Sequence, residues 1–200
     1  EIIKSTGFST IAGLDEAGRG ALAGPVVAAA VIFPSSSSKL FSALSGVNDS
    51  KQLSAKTREK LFPIIQHAAL TFGIGNRPAH YVDRFGIIAS TKQAMLDALQ
   101  GLNPTADYLL IDGRIRLGQS ALPQRSIIRG DSESLSIAAA SIIAKVTRDR
   151  VMIALDTKYP EYGFARHKGY GTAYHRQALE QLGPTPEHRL TFAPLRATLL

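Results

Sequence analysis

Residues 11–33 read IAGLDEAGRGALAGPVVAAAVIF, and the order of apolar residues, acids and glycines in this stretch decides the fold. Residues 11–15 form a short apolar run that ends on two acids, Asp15 and Glu16, as a buried strand does at the edge of a sheet. A glycine-rich turn follows, and residues 26–33 form a continuous apolar run of strand length. The stretch therefore predicts a β-hairpin that carries both acids at the end of its first strand.

The rest of the chain alternates helix and strand patterns. Ser54 is placed to cap a helix, residues 70–74 alternate as in a strand, and Pro78 can open a helix that reaches about Leu99. Further strands are predicted at 108–111 and 125–128, and helices at 134–158 and 172–182. We therefore expect one α/β domain in which helices pack on a sheet.

The charge of the chain favours a polyanionic partner. Lys and Arg number 23 against 16 Asp and Glu, which gives a net charge of +7 over 200 residues. From residue 145 to the end, nine Lys and Arg stand against five acids, together with three of the five histidines. Basic side chains on phosphates release counterions, so we expect the C-terminal quarter to face a nucleic acid.

Several classes of protein are disfavoured by what the sequence lacks. The absence of cysteine excludes disulfides, thiolate metal sites and cysteine nucleophiles. No apolar run reaches the roughly 20 residues that a membrane-spanning helix needs. Residues 1–10 show no charged-then-apolar secretory leader, although the chain begins at Glu1 rather than Met. We expect a cytoplasmic protein without a membrane span, and a monomer by default.

Acids stand at the ends of the predicted elements: the Asp15-Glu16 pair, Asp112 after an apolar strand, and Asp131 before a helix. In open α/β sheets such positions face the ligand crevice. Clustered carboxylates repel one another unless cations or protons compensate them. Oxygen ligands without cysteine favour Mg²⁺ or Mn²⁺ over Zn²⁺, and two such ions about 4 Å apart can serve phosphodiester hydrolysis.

Each acid also has an ordinary structural explanation. Asp131 could cap its helix, Asp112-Gly113 is a common turn dipeptide, and Asp15-Glu16 could be a solvated strand end. The glycines around Arg19 could form a tight turn, and they match neither a P-loop nor a dinucleotide fingerprint. Glycines beside an arginine and carboxylates also let a backbone approach a sugar–phosphate closely.

Taken together, these motifs resemble the ribonuclease HII family. The segments that carry the resemblance run along most of the chain. They are DEAGRG (15–20) with LAGPV (22–26), DSKQL (49–53), IDG (111–113), GD (130–131) leading into SIAAASIIAKV (136–146), and HKGYGT (167–172). Arg114 stands where the family commonly has Asn, and Ala21 where other small residues occur. The Gly-Arg-Gly form favours ribonuclease HII over ribonuclease HIII.

The resemblance implies a ribonuclease H-like fold: a central mixed sheet flanked by helices, with a small helical C-terminal extension. It implies a catalytic domain over residues 1–160, with 161–200 as a substrate-contacting extension of the same domain. The implied activity is two-metal cleavage of the RNA strand of RNA–DNA hybrids and of duplex DNA 5′ to embedded ribonucleotides, with 5′-phosphate and 3′-hydroxyl products.

The resemblance also implies roles for individual residues. Asp15, Glu16, Asp112 and Asp131 would be the catalytic, metal-holding acids. Gly18, Arg19 and Gly20 would read the ribose 2′-hydroxyl, which separates RNA from DNA. Tyr170 would stack on the next deoxyribose, and Lys51 and Lys168 would contact phosphates, although each lysine could equally be an ordinary surface residue.

Other interpretations remain open from sequence alone. A hybrid-binding protein without catalysis is disfavoured because all four acids are present. A different nuclease of the same fold, such as a resolvase, and a small-molecule phosphatase are the remaining alternatives. His167, His175 and His188 lack the close spacing of zinc ligands, so we expect them on the surface or at phosphates.

Overall fold

A mixed sheet forms the centre of the protein. In the computed structural model, which describes residues 7–34 and 53–195, five strands lie in the order β3-β2-β1-β4-β5. Their bounds are β1 Ile11–Ala17, β2 Val26–Ile32, β3 Thr71–Arg77, β4 Tyr108–Asp112 and β5 Gln124–Ile127. β1, β2 and β3 pair antiparallel, whereas β1, β4 and β5 run parallel. The predicted hairpin and the α/β class are confirmed.

Helices cover both faces of this sheet. Their bounds are α1 Ala55–Ala68, α2 Ala79–Phe85, α3 Ile87–Gln100, α4 Gly130–Glu133, α5 Leu135–Lys158, α6 Phe164–His167 and α7 Ala173–Leu182, with a 3₁₀ turn at Pro160–Tyr162. Ser54 caps α1 by accepting from the Thr57 amide, as predicted. The single helix predicted over 78–99 is wrong, because Gly86 at φ 78° separates α2 from α3. Within the described ranges, no helix is long and apolar enough to cross a membrane.

The continuous apolar sequence of β2 follows from its burial on both faces. Ala29 and Val31 pack in the core formed with α1 and α5, whereas Ala28, Ala30 and Ile32 pack in the core formed with α3. A strand that alternates between two cores needs no polar face. This burial fixes the register of the β1–β2 hairpin and therefore the position of the acids at its end.

The start of α5 lies directly against β1. A Cβ on Gly13 would overlap the backbone of Ser136 and Ile137, so the glycine permits this close approach. Small residues on α5, from Ala138 to Ala140, are buried against the sheet. The packing places the first turns of α5 beside the carboxyl end of β1, where the acids lie.

Candidate active site

Asp15 and Asp112 occupy corresponding positions on neighbouring parallel strands. Leu14 of β1 is aligned with Ile111 of β4, so the residue that follows each lies at the same edge of the sheet. The Asp15 side chain is 2% exposed, and its carboxylate accepts from the Glu16 amide at 2.7 Å. Burial, followed by the negative charges of Glu16 and Asp112, raises the pKa of Asp15 well above its usual value. These three acids therefore interact in the folded protein.

Asp131 lies next to this group. The Gly130 amide donates to Asp112 Oδ1 at 2.8 Å, and Asp131 follows within α4, buried at 5% exposure. Asp131 does not cap the long helix, because the N-cap of α5 is Ser134. The capping explanation of Asp131 is therefore wrong. The four acids, which we call the carboxylate edge, lie where β1 and β4 end and α5 begins.

The carboxylate edge offers only hard oxygen ligands, the kind that Mg²⁺ and Mn²⁺ prefer. Two of these oxygens already accept backbone hydrogen bonds, one on Asp15 from Glu16 and one on Asp112 from Gly130. Over residues 7–34 and 53–195, no three His, Asp or Glu side chains already converge closely enough to hold a metal ion. The donor chemistry therefore fits these cations, while the acids lie side by side without forming a closed ligand set.

The Gly-Arg-Gly turn follows β1 directly. Gly18 has φ 91°, and a Cβ there would overlap the Arg148 guanidinium, so this position requires glycine. Gly20 differs, because it is exposed and a Cβ there would meet nothing within 4 Å. Between them, Arg19 forms an ion pair with Glu16 at 3.1 Å while its side chain stays 42% exposed. The turn thus combines a fixed first glycine with an open second one beside the carboxylates.

Arg148 of α5 lies against this turn, beside Gly18. Its fully buried guanidinium donates to the carbonyls of Pro25 at 2.9 Å, Ala23 at 3.0 Å and Lys168 at 2.9 Å. Burial lowers the pKa of Arg148. One side chain therefore joins the β1–β2 connection to the segment that precedes Tyr170.

Arg189 supports the same connection from the C-terminal side. It is fully buried and donates to Gly24 O at 3.1 and 2.9 Å and to Arg19 O at 2.9 Å. Burial, and then the charge of Arg148, lowers the pKa of Arg189 to about 10. Asp83 of α2 holds the following residues by accepting from the amides of Leu190 at 2.9 Å and Thr191 at 3.0 Å.

Tyr170 lies beside these arginines and is 37% exposed. The Arg148 guanidinium is 5.4 Å from the centre of its ring, and the Lys145 ammonium is 5.7 Å from it. The preceding Gly169 has φ 79°, and its carbonyl accepts from the Leu22 amide at 2.8 Å. The tyrosine is therefore fixed to the same connection as Arg19, with part of its ring open to solvent.

The two predicted lysines are placed differently. Lys168 has φ 52°, and its ammonium donates to the Ala165 carbonyl of the same short segment. Lys51 lies outside the described residues, as does most of the 49–53 motif.

Comparison with known proteins agrees with the resemblance of the motifs. The family model described as Ribonuclease HII matches residues 12–195. A ribonuclease HII from Syntrophotalea carbinolica is 55% identical and is covered over 90% of its length by 96% of this chain. One from Chloroflexus aurantiacus is 52% identical, with 93% of its length and 99% of this chain covered. The crystal structure of ribonuclease H2 from Pyrococcus horikoshii superposes with a TM-score of 0.78 at 27% identity, over 94% of this chain and 96% of that one.

The chain belongs to the ribonuclease HII family. It is a ribonuclease H, an endonuclease that acts on the RNA strand of RNA–DNA hybrids. The sheet order and the flanking helices described above are accordingly those of a ribonuclease H-like fold.

Three histidines lie inside the protein, although the sequence predicted them on the surface or at phosphates. His167, His175 and His188 are 8%, 0% and 1% exposed. His175 Nε2 and His188 Nε2 are 3.0 Å apart, and the rings of His167 and His175 stack with centroids 4.4 Å apart. Burial is the main cause that lowers the pKa of all three, to about 4 for His175 and His188. The surface prediction was wrong because the three rings pack against one another and against the rings of Tyr162 and Phe164.

The hydrogen-bond partners fix the tautomers of the His175–His188 pair. His188 Nδ1 accepts from the Thr185 amide at 2.9 Å, so its proton is on Nε2 and is donated to His175. His175 Nδ1 then donates to the Tyr170 carbonyl at 3.0 Å. A neutral histidine relay thus runs from Thr185 to the backbone of Tyr170. We call Arg148, Arg189, His175 and His188 the loop-anchoring cluster.

The loop-anchoring cluster was missed by sequence reasoning, and only Arg148 left a signal. Arg148 lies in the long alanine-rich helix, and an arginine on a buried face is unusual. Asp149, the next residue along the helix, pairs with Lys145 at 2.7 Å and with the distant Arg58 at 3.5 Å, so its contacts are structural.

Proposed function

We propose that this enzyme cuts hybrids and DNA duplexes on the 5′ side of ribonucleotides, including single embedded ones, and leaves a 5′-phosphate and a 3′-hydroxyl. The carboxylate edge is the observation that carries the proposal. There, the pKa of the buried Asp15 is raised by its burial and by the charges of Glu16 and Asp112. Such mutual repulsion is the electrostatic environment that bound cations relieve.

Asp15, Glu16, Asp112 and Asp131 would hold two divalent cations, Mg²⁺ or Mn²⁺. When bound, such ions supply a nucleophilic water at neutral pH and stabilise the charge on the leaving oxygen. The acids of this chain contribute charge and position. Asp15 is held by the Glu16 amide and Asp112 by the Gly130 amide, so both carboxylates are oriented before a ligand arrives. Asp15 must lose any proton that its raised pKa retains before it can bind a cation.

The Gly-Arg-Gly turn and Tyr170 would choose the site of cleavage. Gly20 is open, so a ribose can approach its backbone closely and place the 2′-hydroxyl against peptide groups. Arg19 would leave Glu16 for the neighbouring phosphate. The exposed part of the Tyr170 ring would stack on the following deoxyribose. For Lys168, phosphate binding requires its ammonium to leave the Ala165 carbonyl, and for Lys51 the role rests on the motif alone.

The organisation and setting of the protein complete the proposal. Residues 161–200 would extend the catalytic domain of residues 1–160 and carry substrate contacts, as the hydrogen bond between Leu22 and Gly169 supports. We propose that the enzyme works as a monomer in the cytoplasm.

Cleavage mapping tests the proposal directly. Three duplexes of one sequence are compared with Mg²⁺ and with Mn²⁺: all DNA, DNA with a single ribonucleotide, and an RNA–DNA hybrid. We expect no cleavage of the first, one nick 5′ to the ribonucleotide in the second, and multiple cuts in the third. Cleavage of the hybrid with no nick at the single ribonucleotide would refute the proposed selectivity.

A further inference from the structure

A run of arginines without acids lies just beyond the carboxylate edge. Between Gly113 and Arg129 the sequence contains four arginines, no lysine, no aspartate and no glutamate. We call Arg114, Arg116, Arg125 and Arg129 the arginine edge. All four are exposed. The segment therefore adds four positive charges beside a site that gathers negative ones.

The topology places the arginine edge on one side of the carboxylates and Tyr170 on the other. In the order β2-β1-β4-β5, the Gly-Arg-Gly turn lies in the β1–β2 connection, and the segment of Tyr170 is hydrogen-bonded to that connection through Gly169. The acids lie at the ends of β1 and β4. Arg114 follows Asp112 by two residues, and Arg129 directly precedes Gly130, whose amide binds Asp112. These two arginines are therefore the members nearest to the acids.

The other two arginines continue the row along β5. Arg125 is aligned with Leu110, two residues before the aligned pair of Asp112 and Ile127. The 113–118 segment folds back beside β5, because Ile115 O accepts from Ser126 Oγ at 2.6 Å and the Leu117 amide donates to Gln124 at 2.8 Å. The row extends from the carboxylates by about two strand residues, roughly 7 Å.

The same hydrogen bonds fix the backbone that carries the row. Ile115 and Leu117 are buried in the core under α3, at 7% and 0% exposure, so the arginines between and beside them point outward. The positions of the arginines are thus set by the core rather than by a loose loop. Because this backbone is already fixed, the binding of a ligand to the row orders the arginine side chains alone.

The members of the arginine edge have no acid beside them in the described part of the chain. Two arginines elsewhere on the surface are paired with acids, Arg77 with Asp97 and Arg150 with Glu59, both at 2.6 Å. Within residues 7–34 and 53–195, no acid lies within ion-pair distance of any member of the arginine edge. Four exposed guanidinium groups that pair with no acid of the described residues form a surface that attracts an anionic polymer.

We propose that the arginine edge is a second phosphate-binding surface, which holds the substrate duplex on the side of the active site opposite Tyr170. The inference rests on the proposed function, since it assumes a duplex whose scissile phosphate lies at the carboxylate edge. Four acids in one crevice repel a phosphate backbone, and arginines on the far side offset that repulsion where the duplex leaves the site. Tyr170 and Arg19 choose the cleavage position, whereas the arginine edge contributes affinity that is independent of sequence and sugar.

The salt dependence of binding tests the arginine edge without any need for cleavage. Arg116→Gln with Arg125→Gln removes the two members farthest from the acids, so that the carboxylate edge is left intact. The dissociation constant for a fluorescent hybrid that extends past both sides of the site is measured in EDTA over a range of salt concentrations. Each phosphate that is no longer neutralised should reduce the log–log salt slope by about 0.9, so the slope of the double variant should fall by up to about 2.

A double variant elsewhere on the surface removes the same charge. Lys60→Gln in α1 with Arg84→Gln in α2 changes two exposed cations on helices away from β5. We expect this control to keep the wild-type salt slope to within about 0.5, roughly half the effect of one phosphate. An equal fall of the slope in both double variants would mean that only the net charge of the protein matters, which would overturn the inference. An unchanged slope in the Arg116 and Arg125 variant would also overturn it.

The outcome is separable from that of the proposed function. If the wild-type enzyme nicks at a single ribonucleotide and the salt slope of the double variant is unchanged, only the arginine edge fails. If the slope falls but the wild type ignores single ribonucleotides, the arginine edge stands and the proposed selectivity fails.

Discussion

The carboxylate edge and the loop-anchoring cluster both bury ionisable groups, but they compensate them in opposite ways. At the carboxylate edge, acids of one sign crowd together and the pKa of Asp15 is raised. In the loop-anchoring cluster, Arg148 and Arg189 each donate three hydrogen bonds to carbonyls, and His188 and His175 are joined in a neutral relay. Repulsion is thus kept at the edge where we propose that cations bind, whereas the loops that we propose to select the substrate are held by satisfied hydrogen bonds.

Asp15→Asn should produce the largest effect on activity. The change keeps the shape of the side chain and removes one charge from the carboxylate edge. We expect cleavage of a singly substituted duplex to fall by on the order of 10³-fold, because a ligating charge is lost. In metal-free buffer the free energy of unfolding should not fall, because the repulsion from Glu16 and Asp112 is relieved.

Thermal unfolding with and without metal completes that test. Bound ions stabilise the native state, so Mg²⁺ or Mn²⁺ should raise the Tm of the wild type more than that of Asp15→Asn. If Asp15→Asn cleaves at a near wild-type rate, Asp15 has no essential role in the mechanism. If the metal raises the Tm of the wild type and of Asp15→Asn equally, Asp15 is not a metal ligand.

Arg148→Met should produce the largest loss of stability. Methionine fills part of the same volume but leaves the carbonyls of Ala23, Pro25 and Lys168 without this donor. We expect the free energy of unfolding to fall by about 3 kcal/mol or more, because buried acceptors lose their partners. Urea unfolding measures it.

Arg150→Met is the matched control, two residues along the same helix. Its side chain is 51% exposed, pairs with the exposed Glu59 and lies 4.4 Å from the centre of the Phe62 ring, so the loss should stay within about 1.5 kcal/mol. Equal losses in the two variants would mean that Arg148 acts as one more helix residue and does not anchor the loops.

The two regions should also respond to acid with opposite signs. The pKa of His175 and His188 is about 4 in the native state, so between about pH 6.5 and 4 the unfolded chain binds more protons. The free energy of unfolding therefore falls as the pH falls, approaching about 1.4 kcal/mol per pH unit for each histidine. Asp15 has a raised pKa, so above about pH 3.8 the native state holds a proton that the unfolded chain has released. Through Asp15, therefore, the free energy of unfolding rises as the pH falls.

Single variants separate the two contributions. His188→Gln should flatten the dependence of unfolding free energy on pH, and Asp15→Asn should make it steeper. The comparison between the regions fails if both variants change the slope in the same direction.

How far the sequence could predict this molecule depended on how local each feature is. The hairpin of β1 and β2 follows from a local pattern of apolar residues and glycines, and Asp15 at its edge follows with it. The proximity of Asp112 needed the parallel pairing of β1 with β4, which only the motif order suggested. Gly86 divides the helix that was predicted over 78–99. The sequence did not predict this break, because a single glycine leaves the helical spacing of the apolar residues intact.

The buried histidines could not be predicted in this way. His175 and His188 lie 13 residues apart, and their burial depends on their contact with each other and with the ring of Phe164, which no local pattern reveals. A histidine in a basic stretch of sequence is predicted to be exposed, and only the fold shows that it is buried. The predicted role of Tyr170 rested on the motif, while the relay that holds its backbone emerged only from the fold.

Substitution of Tyr170 should have the smallest effect on stability. It also tests whether the loop-anchoring cluster positions Tyr170 to select the cleavage site. Its ring is partly exposed, so Tyr170→Ala should change the free energy of unfolding by about 0.5 kcal/mol or less. The ratio of kcat/KM for a single ribonucleotide to that for a uniform hybrid should fall about tenfold, since removal of a stacking aromatic ring costs about 1–3 kcal/mol. Tyr170→Phe keeps the ring beside Arg148 and Lys145 and should keep the ratio. If Tyr170→Ala lowers kcat/KM equally on both substrates, the relay positions a general binding residue, and the choice of site belongs to the Gly-Arg-Gly turn alone.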